Sequence, residues 1–156
     1  MGILWQGLRH DLSKYSPTEF IPGAKYYSGT KSPNEGERRD KGYSLAWMHH
    51  KGRNRHHFEY WMDYNMEKRR YEPVEMPVRF VAEMFCDRVA ASKIYNPDTY
   101  NDSFPLEYFR RGKSHRIINQ KTSDLLEELL VMLSEKGEDE TFAYLKALVK
   151  ASRSNK

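Results

Sequence analysis

A chain of 156 residues and 18.6 kDa with 38% hydrophobic and 13% aromatic residues is long enough to bury roughly two thirds of its unfolded surface as one domain, and too apolar to remain disordered. A mean hydropathy of −0.89 with 31% charged residues describes an ionised surface, and no apolar run approaches the roughly 18 to 20 residues that a membrane span needs. The net charge of +4 is uneven, because residues 1–57 carry 10 basic and 5 acidic side chains against 16 and 17 in the remainder. Such a field draws anions, phosphate esters or nucleic acid among them. Cys86 is the single cysteine, which excludes an internal disulfide and a thiolate metal cluster and points to a reducing cytoplasm. The first residues offer neither a basic leader nor a small-residue cleavage site, and Gln6 stands where a myristoylation signal needs Ser or Thr.

Leu4, Trp5, Leu8 and Leu12 recur at three- and four-residue steps and predict an amphipathic core helix from near Met1 to about Ser13. Ser16-Pro17-Thr18-Glu19 then reads as a helix start, with Ser16 as N-cap and Glu19 in capping-box position. The glycine- and charge-rich run from about Tyr27 to Gly42 lacks periodicity, so an exposed, mobile loop is expected over Ser28 to Lys41. Helical patterning returns from Tyr43 to Lys51 and stops at Gly52, after which Asn54 fits the N-cap of a helix through Arg70. Val78, Val81, Phe85 and Val89 mark a long buried helix ending near Tyr95. A short helix over Pro105–Arg111 follows, then two more separated by Gly137, the first capped by Thr122-Ser123-Asp124. No segment shows the period-two alternation of strands, so the fold class is all-α. One domain is expected over residues 1–156, with its core in 1–96 and C-terminal helices in 100–152, and with Trp5, Leu8, Leu12, Trp47, Trp61, Phe80, Met84 and Phe85 contributing to the core.

Three segments can carry chemistry. On a helix, His10, Asp11 and Lys14 share one face, either as a pair of metal ligands with an ammonium beside them for a phosphoryl oxygen, or as a surface Asp11–Lys14 pair beside a partly buried histidine. In His49-His50-Lys51-Gly52-Arg53-Asn54-Arg55-His56-His57, four of the six histidines flank one expected helix elbow. There they either point into a shared cleft as neutral metal ligands or form a basic turn that meets phosphates. One histidine of each doublet, His50 and His57, is expected at a shared site, with Trp61 four residues on as an aromatic wall. Asp87 falls inside an apolar helix where an unpaired carboxylate is costly. It needs a metal ion or an arginine partner, and Glu83 one turn earlier is placed to support a ligand.

The order of these residues resembles the HD-domain superfamily of metal-dependent phosphohydrolases and phosphodiesterases. HDLSKYSPTEFIPGAKYY, AWMHHKGRNRHHFEYW and EMFCDRVAASKIY are more closely similar to an uncharacterised bacterial and phage family, a domain of unknown function with that HD-like pattern. The resemblance spans residues 4–96. It implies an HD-like helical bundle in which His10, Asp11, a later histidine (His50 or His57) and Asp87 hold a divalent metal, Mn, Fe, Zn, Co or Mg, with Lys14 as the phosphate contact. HD proteins carry a further ligand on a helix upstream of the His-Asp pair, and no histidine precedes His10. A first helix missing from this chain, a shell completed by His56 and His57, or a degenerate site would each account for that.

The expected function is metal-dependent hydrolysis of a nucleotide or related small phosphorylated substrate. Asp11 and Lys14 act in catalysis, and Lys14, Arg53 and Arg55 neutralise the phosphoryl oxygens. The other expectation is a non-catalytic nucleotide- or nucleic-acid-binding module. Neither the substrate nor the oligomeric state is legible in the sequence.

Overall fold

The computed structural model describes residues 3–29 and 31–154, so the expected helix start at Met1, and Thr30 of the expected loop, lie outside the described residues. In chain order the elements are α1 (Leu4–Leu8), α2 (Pro17–Lys25), α3 (Pro33–Lys41), α4 (Leu45–Arg53), β1 (Met62–Asn65), β2 (Arg70–Pro73), α5 (Val78–Tyr95), α6 (Phe104–Arg111) and α7 (Gln120–Ser154), with single 3-10 turns at Leu12–Tyr15, Phe58–Tyr60 and Lys113–His115. The protein is mostly helical. None of its described helices is long and apolar enough to cross a membrane.

The apolar periodicity of α5 and α7 makes them the scaffold. Val81, Phe85 and Val89 of α5 join Leu126, Leu129, Leu133 and Leu145 of α7 and Phe109 of α6 in one buried cluster, and Phe85 meets Phe142 edge-on at 5.9 Å. Gly137 bends α7 with φ 78°, a left-handed value that glycine adopts without a Cβ penalty. The expected pair of C-terminal helices is therefore present, joined at a kink. Its first half begins at Gln120 rather than at a Thr122 cap, and the Thr122 hydroxyl instead accepts the Met76 N–H at 2.9 Å. Phe80, Met84 and Phe85 are buried as expected, and Trp61 packs against the cluster from its edge.

Four expectations are overturned. Trp5, Leu8 and Leu12 are 77%, 63% and 55% exposed: α1 is only five residues long, so their spacing never becomes a continuous stripe, and only Ile3 from this segment reaches the core. The mostly helical structure is consistent with the all-α class, but the expectation of no strand fails, since residues beyond Asn54 turn into an antiparallel hairpin in which Tyr64 pairs with Tyr71 at a ring distance of 5.5 Å. Aromatic cross-strand pairs stabilise such ribbons, but four-residue strands are too short to show alternation. Asn54 caps the end of α4 instead of opening a new helix, its N–H bonded to the His50 carbonyl at 3.0 Å, and Gly52 lies within α4.

The fourth is the loop over Ser28 to Lys41, much of which is α3. Pro33 sits at its first position and Gly42, at φ 80°, closes it, as the helix asymmetry of proline and glycine requires. Its one buried side chain is Glu37, which accepts from Ser44 Oγ at 2.7 Å, the Ala46 N–H at 3.2 Å and Lys41 Nζ at 3.1 Å. A helix anchored by a carboxylate has no apolar stripe to read.

Burial works to raise the Glu37 pKa, yet the bonds from Ser44, Lys41 and the Ala46 N–H hold it below its ordinary 4.5. A depressed carboxylate contributes stability that is complete above the unfolded value and is lost as pH falls through the folded one. Glu37→Ala is expected to cost about 3 kcal/mol at pH 7 by orphaning those donors. The gap from wild type should narrow as urea unfolding is repeated below pH 4.5, and a gap unchanged at pH 3.5 would contradict the assignment.

Candidate metal centre

The site forms where the His10-Asp11 turn, the C-terminal half of α4, the bend at residues 54–57 and the middle of α5 meet. One ligand atom from each of Asp11, His50, His56 and His57 lies within 4.8 Å of the others, and Asp11 belongs to a second such group with His10 and Asp87. Asp11 Oδ1 stands 3.4 Å from His50 Nε2 and 3.6 Å from His56 Nε2. The His57 ring lies 4.8 Å from that of His50 and 4.1 Å from that of His56. His10, Asp11, His50, His57 and Asp87 thus converge in space.

Three departures from the sequence reading matter. Both His56 and His57 reach the cluster, because residues 54–57 form a bend rather than a helix that would splay them 100° apart. His49 turns away and bonds Glu19. The aromatic edge against His57 is Trp47, at 4.8 Å, whereas the Trp61 indole donates to the Arg55 carbonyl at 2.8 Å.

Glu19, read from the sequence as a capping-box residue, is the chief missed member. Its Oε1 accepts from His49 Nδ1 at 2.6 Å and its Oε2 from His50 Nδ1 at 2.7 Å. Burial alone would raise its pKa, but the bonds from His49, Ser13 and His50 hold it below 4.5. An ionised carboxylate only accepts, so the His50 proton sits on Nδ1, leaving the Nε2 lone pair on the Asp11 side. The sequence signal was available in principle: Glu19 and the His doublet were each visible, but nothing local shows that α2 packs on α4. On the other flank, His56 Nδ1 faces Glu83 Oε1 at 3.6 Å, and Gln6 donates to the second Glu83 oxygen.

Asp11 Oδ1, His56 Nε2 and His57 Nε2 are all sealed from solvent without a hydrogen-bond partner. Each such orphan costs about 1–3 kcal/mol, and their convergence fits a cation, which nitrogen and carboxylate donors of this kind bind as Mn, Fe, Co or Zn. His57 is pushed down to about 2, first by burial and then by His56, His50, Arg88 and Lys14, so it is a neutral donor at any ordinary pH. Lys14 Nζ pairs with the other Asp11 oxygen. Although burial works to raise the Asp11 pKa, the Lys14 bond and charge, with His50 and His10, bring it below 3.8.

The cluster lies between two clefts. His57 and Asp87 line one of about 890 Å³ that also holds Arg88, Tyr95, Tyr108 and Arg116. His10 and His56 line one of about 560 Å³ with Arg53 and Arg55. The expected phosphate-neutralising arginines therefore open on the smaller side.

Glu19→Gln is expected to weaken metal affinity by about 10–100-fold, the usual consequence of removing a carboxylate that orients a ligating histidine, with the helical circular dichroism unchanged. Competition titration with a chromogenic chelator reads the change, and an affinity equal to that of wild type would contradict the tautomer assignment.

Fold and site together define a mostly helical protein with a buried His/Asp cluster of a kind that could hold a metal ion. Residues 1–132 match the model of a family of unknown function, DUF5662, and the chain belongs to that family. No curated protein and no solved structure matches it.

Proposed function

We propose that this protein is a metal-dependent phosphoester hydrolase of HD type, acting on a nucleotide or related small phosphorylated substrate. The observation that carries the reading is the trio of buried, partnerless ligand atoms on Asp11, His56 and His57, converging with His50 at the edge of a cleft of about 890 Å³. Asp11, His50, His56 and His57 would hold the ion, with His10 and Asp87 completing a second group around Asp11. Bound there, a divalent ion supplies Lewis acidity toward a phosphoryl oxygen and lowers the pKa of water.

The chain's own residues do the rest. Glu19 fixes the donor face of His50, Lys14 keeps Asp11 ionised and brings an ammonium to the cluster, and Asp87 presents a carboxylate to the cleft. Phosphoryl transfer asks a protein chiefly for positioning and charge neutralisation, and these groups are suited to both. The basic N-terminal third supports a second reading, a binding module for nucleotides or nucleic acid. The test is elemental analysis of the purified protein followed by assay of mono- and diester substrates with Mn, Fe, Zn, Co and Mg. Near-stoichiometric metal with turnover supports the hydrolase, whereas metal-free, inert protein with steeply salt-dependent polyanion binding supports the module.

A further inference from the structure

Arg88 is a cation of the larger cleft that the metal cluster does not account for, and that the sequence offers only as an ion-pair partner for Asp87. It follows Asp87 on α5, lines the cleft, and has its Nε buried without a partner. Among the described residues no carboxylate ion-pairs with it and no group hydrogen-bonds it. Burial and Arg116 work against its charge while Tyr108, Asp87 and Glu59 favour it from a distance, and a guanidinium does not deprotonate in proteins. A half-buried, permanent charge without an ion-pair partner is destabilising, and Arg116 brings a second guanidinium to the same cleft, where a bound anion would offset both.

Arg116 is held in place for that purpose. Its Nη1 donates to the Phe109 carbonyl at 2.6 Å, and its guanidinium packs 5.2 Å from the Phe109 ring centre. Its guanidinium lies over Gly112. The carboxylate nearest in character, Glu59, lines the same cleft, but its Oε2 is likewise buried and partnerless. It favours the charge of both arginines from a distance, as Asp87 does for Arg88, but makes no ion pair with either among the described residues.

We propose that Arg88 and Arg116 form an oxyanion subsite in the larger cleft, beside His57 and Asp87, which takes a phosphate-type anion. The subsite rests on the hydrolase reading only where that anion is called the substrate's. Two guanidinium forks match phosphate geometry better than ammonium groups do, and the subsite assigns substrate entry to the larger cleft rather than to the Arg53/Arg55 side.

The test is calorimetric titration of the full-length protein with inorganic phosphate, with and without excess chelator, beside elemental analysis of the same preparation. Wild type is expected to bind phosphate in both conditions. Arg116→Ala and Arg88→Met should each weaken binding by about 10–100-fold, the worth of a charged hydrogen bond, and Glu59→Gln should tighten it. Arg88→Met should also melt roughly 2–4 °C above wild type in phosphate-free buffer, because the unpaired charge is gone. A melting temperature below that of wild type, or weaker phosphate binding in Glu59→Gln, would make Arg88 a structural cation paired with Glu59 and overturn the proposal. So would phosphate binding that disappears with chelator, or a loss that follows Arg53→Ala/Arg55→Ala while Arg116→Ala binds as wild type does. Phosphate binding by the arginines in protein that takes up no metal would keep the subsite and refute the hydrolase, so the two readings fail separately.

Discussion

Asp11→Ala is expected to strip the protein of bound metal altogether, with an affinity loss larger than the ~10–100-fold that removal of an outer partner such as Glu19 brings. Asp11 is the residue common to both ligand groups, and its Oδ1 is the atom that His50 and His56 both face. Without it the three imidazoles remain, but no anionic donor offsets the charge of a divalent ion at their centre. The substitution also frees Lys14, whose ammonium then sits beside the empty position and repels a cation. A ligand that binds only the native state stabilises it by about 2.7 kcal/mol at a hundredfold excess over its dissociation constant. Wild type should therefore gain roughly 5–10 °C in melting temperature when saturated with its metal, and Asp11→Ala should gain nothing. Metal content by elemental analysis and the melting shift read the same event independently. Stoichiometric metal in Asp11→Ala would remove the basis for the cluster as a metal centre.

Much of this cluster was legible in the sequence because its members are chemically conspicuous: a His-Asp pair, four histidines within nine residues, and an aspartate inside an apolar helix. What was not legible is which side chains meet. Helical wheels spread neighbours by 100°, so a helix starting at an Asn54 cap made His56 and His57 alternatives, whereas the actual bend lets both enter. The support carried by Glu19 depends on α2 lying against α4, a tertiary contact with no local signature. The same limit explains the fold. α5, α6 and α7 bury apolar faces and announce themselves by period. α3 buries one carboxylate and α1 buries almost nothing, so one was read as loop and the other as core. Arg88 entered the sequence reading only as a partner for Asp87, for a related reason: whether an arginine is paired is a fact that only three dimensions show.

Lys14→Ala should separate chemistry from folding. Lys14 is 62% exposed along its side chain and, among the described residues, ion-pairs only with Asp11, so truncation leaves no cavity and no buried orphan beyond the Asp11 oxygen, which gains access to solvent. Alanine is also the best helix former, so the turn at Leu12–Tyr15 is not weakened by propensity. Burial works against the Lys14 charge, but the bond and charge of Asp11, together with the Asp87 and Tyr95 charges, raise its pKa above 10.5. It is therefore a fixed cation at the edge of both ligand groups. If it neutralises charge gathering on a phosphoryl oxygen, its loss should lower turnover of a phosphoester by a factor of about 10² to 10³, the typical result of deleting one such stabiliser. Metal content should stay at the wild-type level, since none of the cluster's donor atoms belongs to Lys14. Lys14→Arg should recover part of the rate, because the charge returns on a longer and flatter group. Full activity in Lys14→Ala would assign the ammonium to holding Asp11 alone, and would leave Arg88 and Arg116 as the groups that carry the phosphoryl charge.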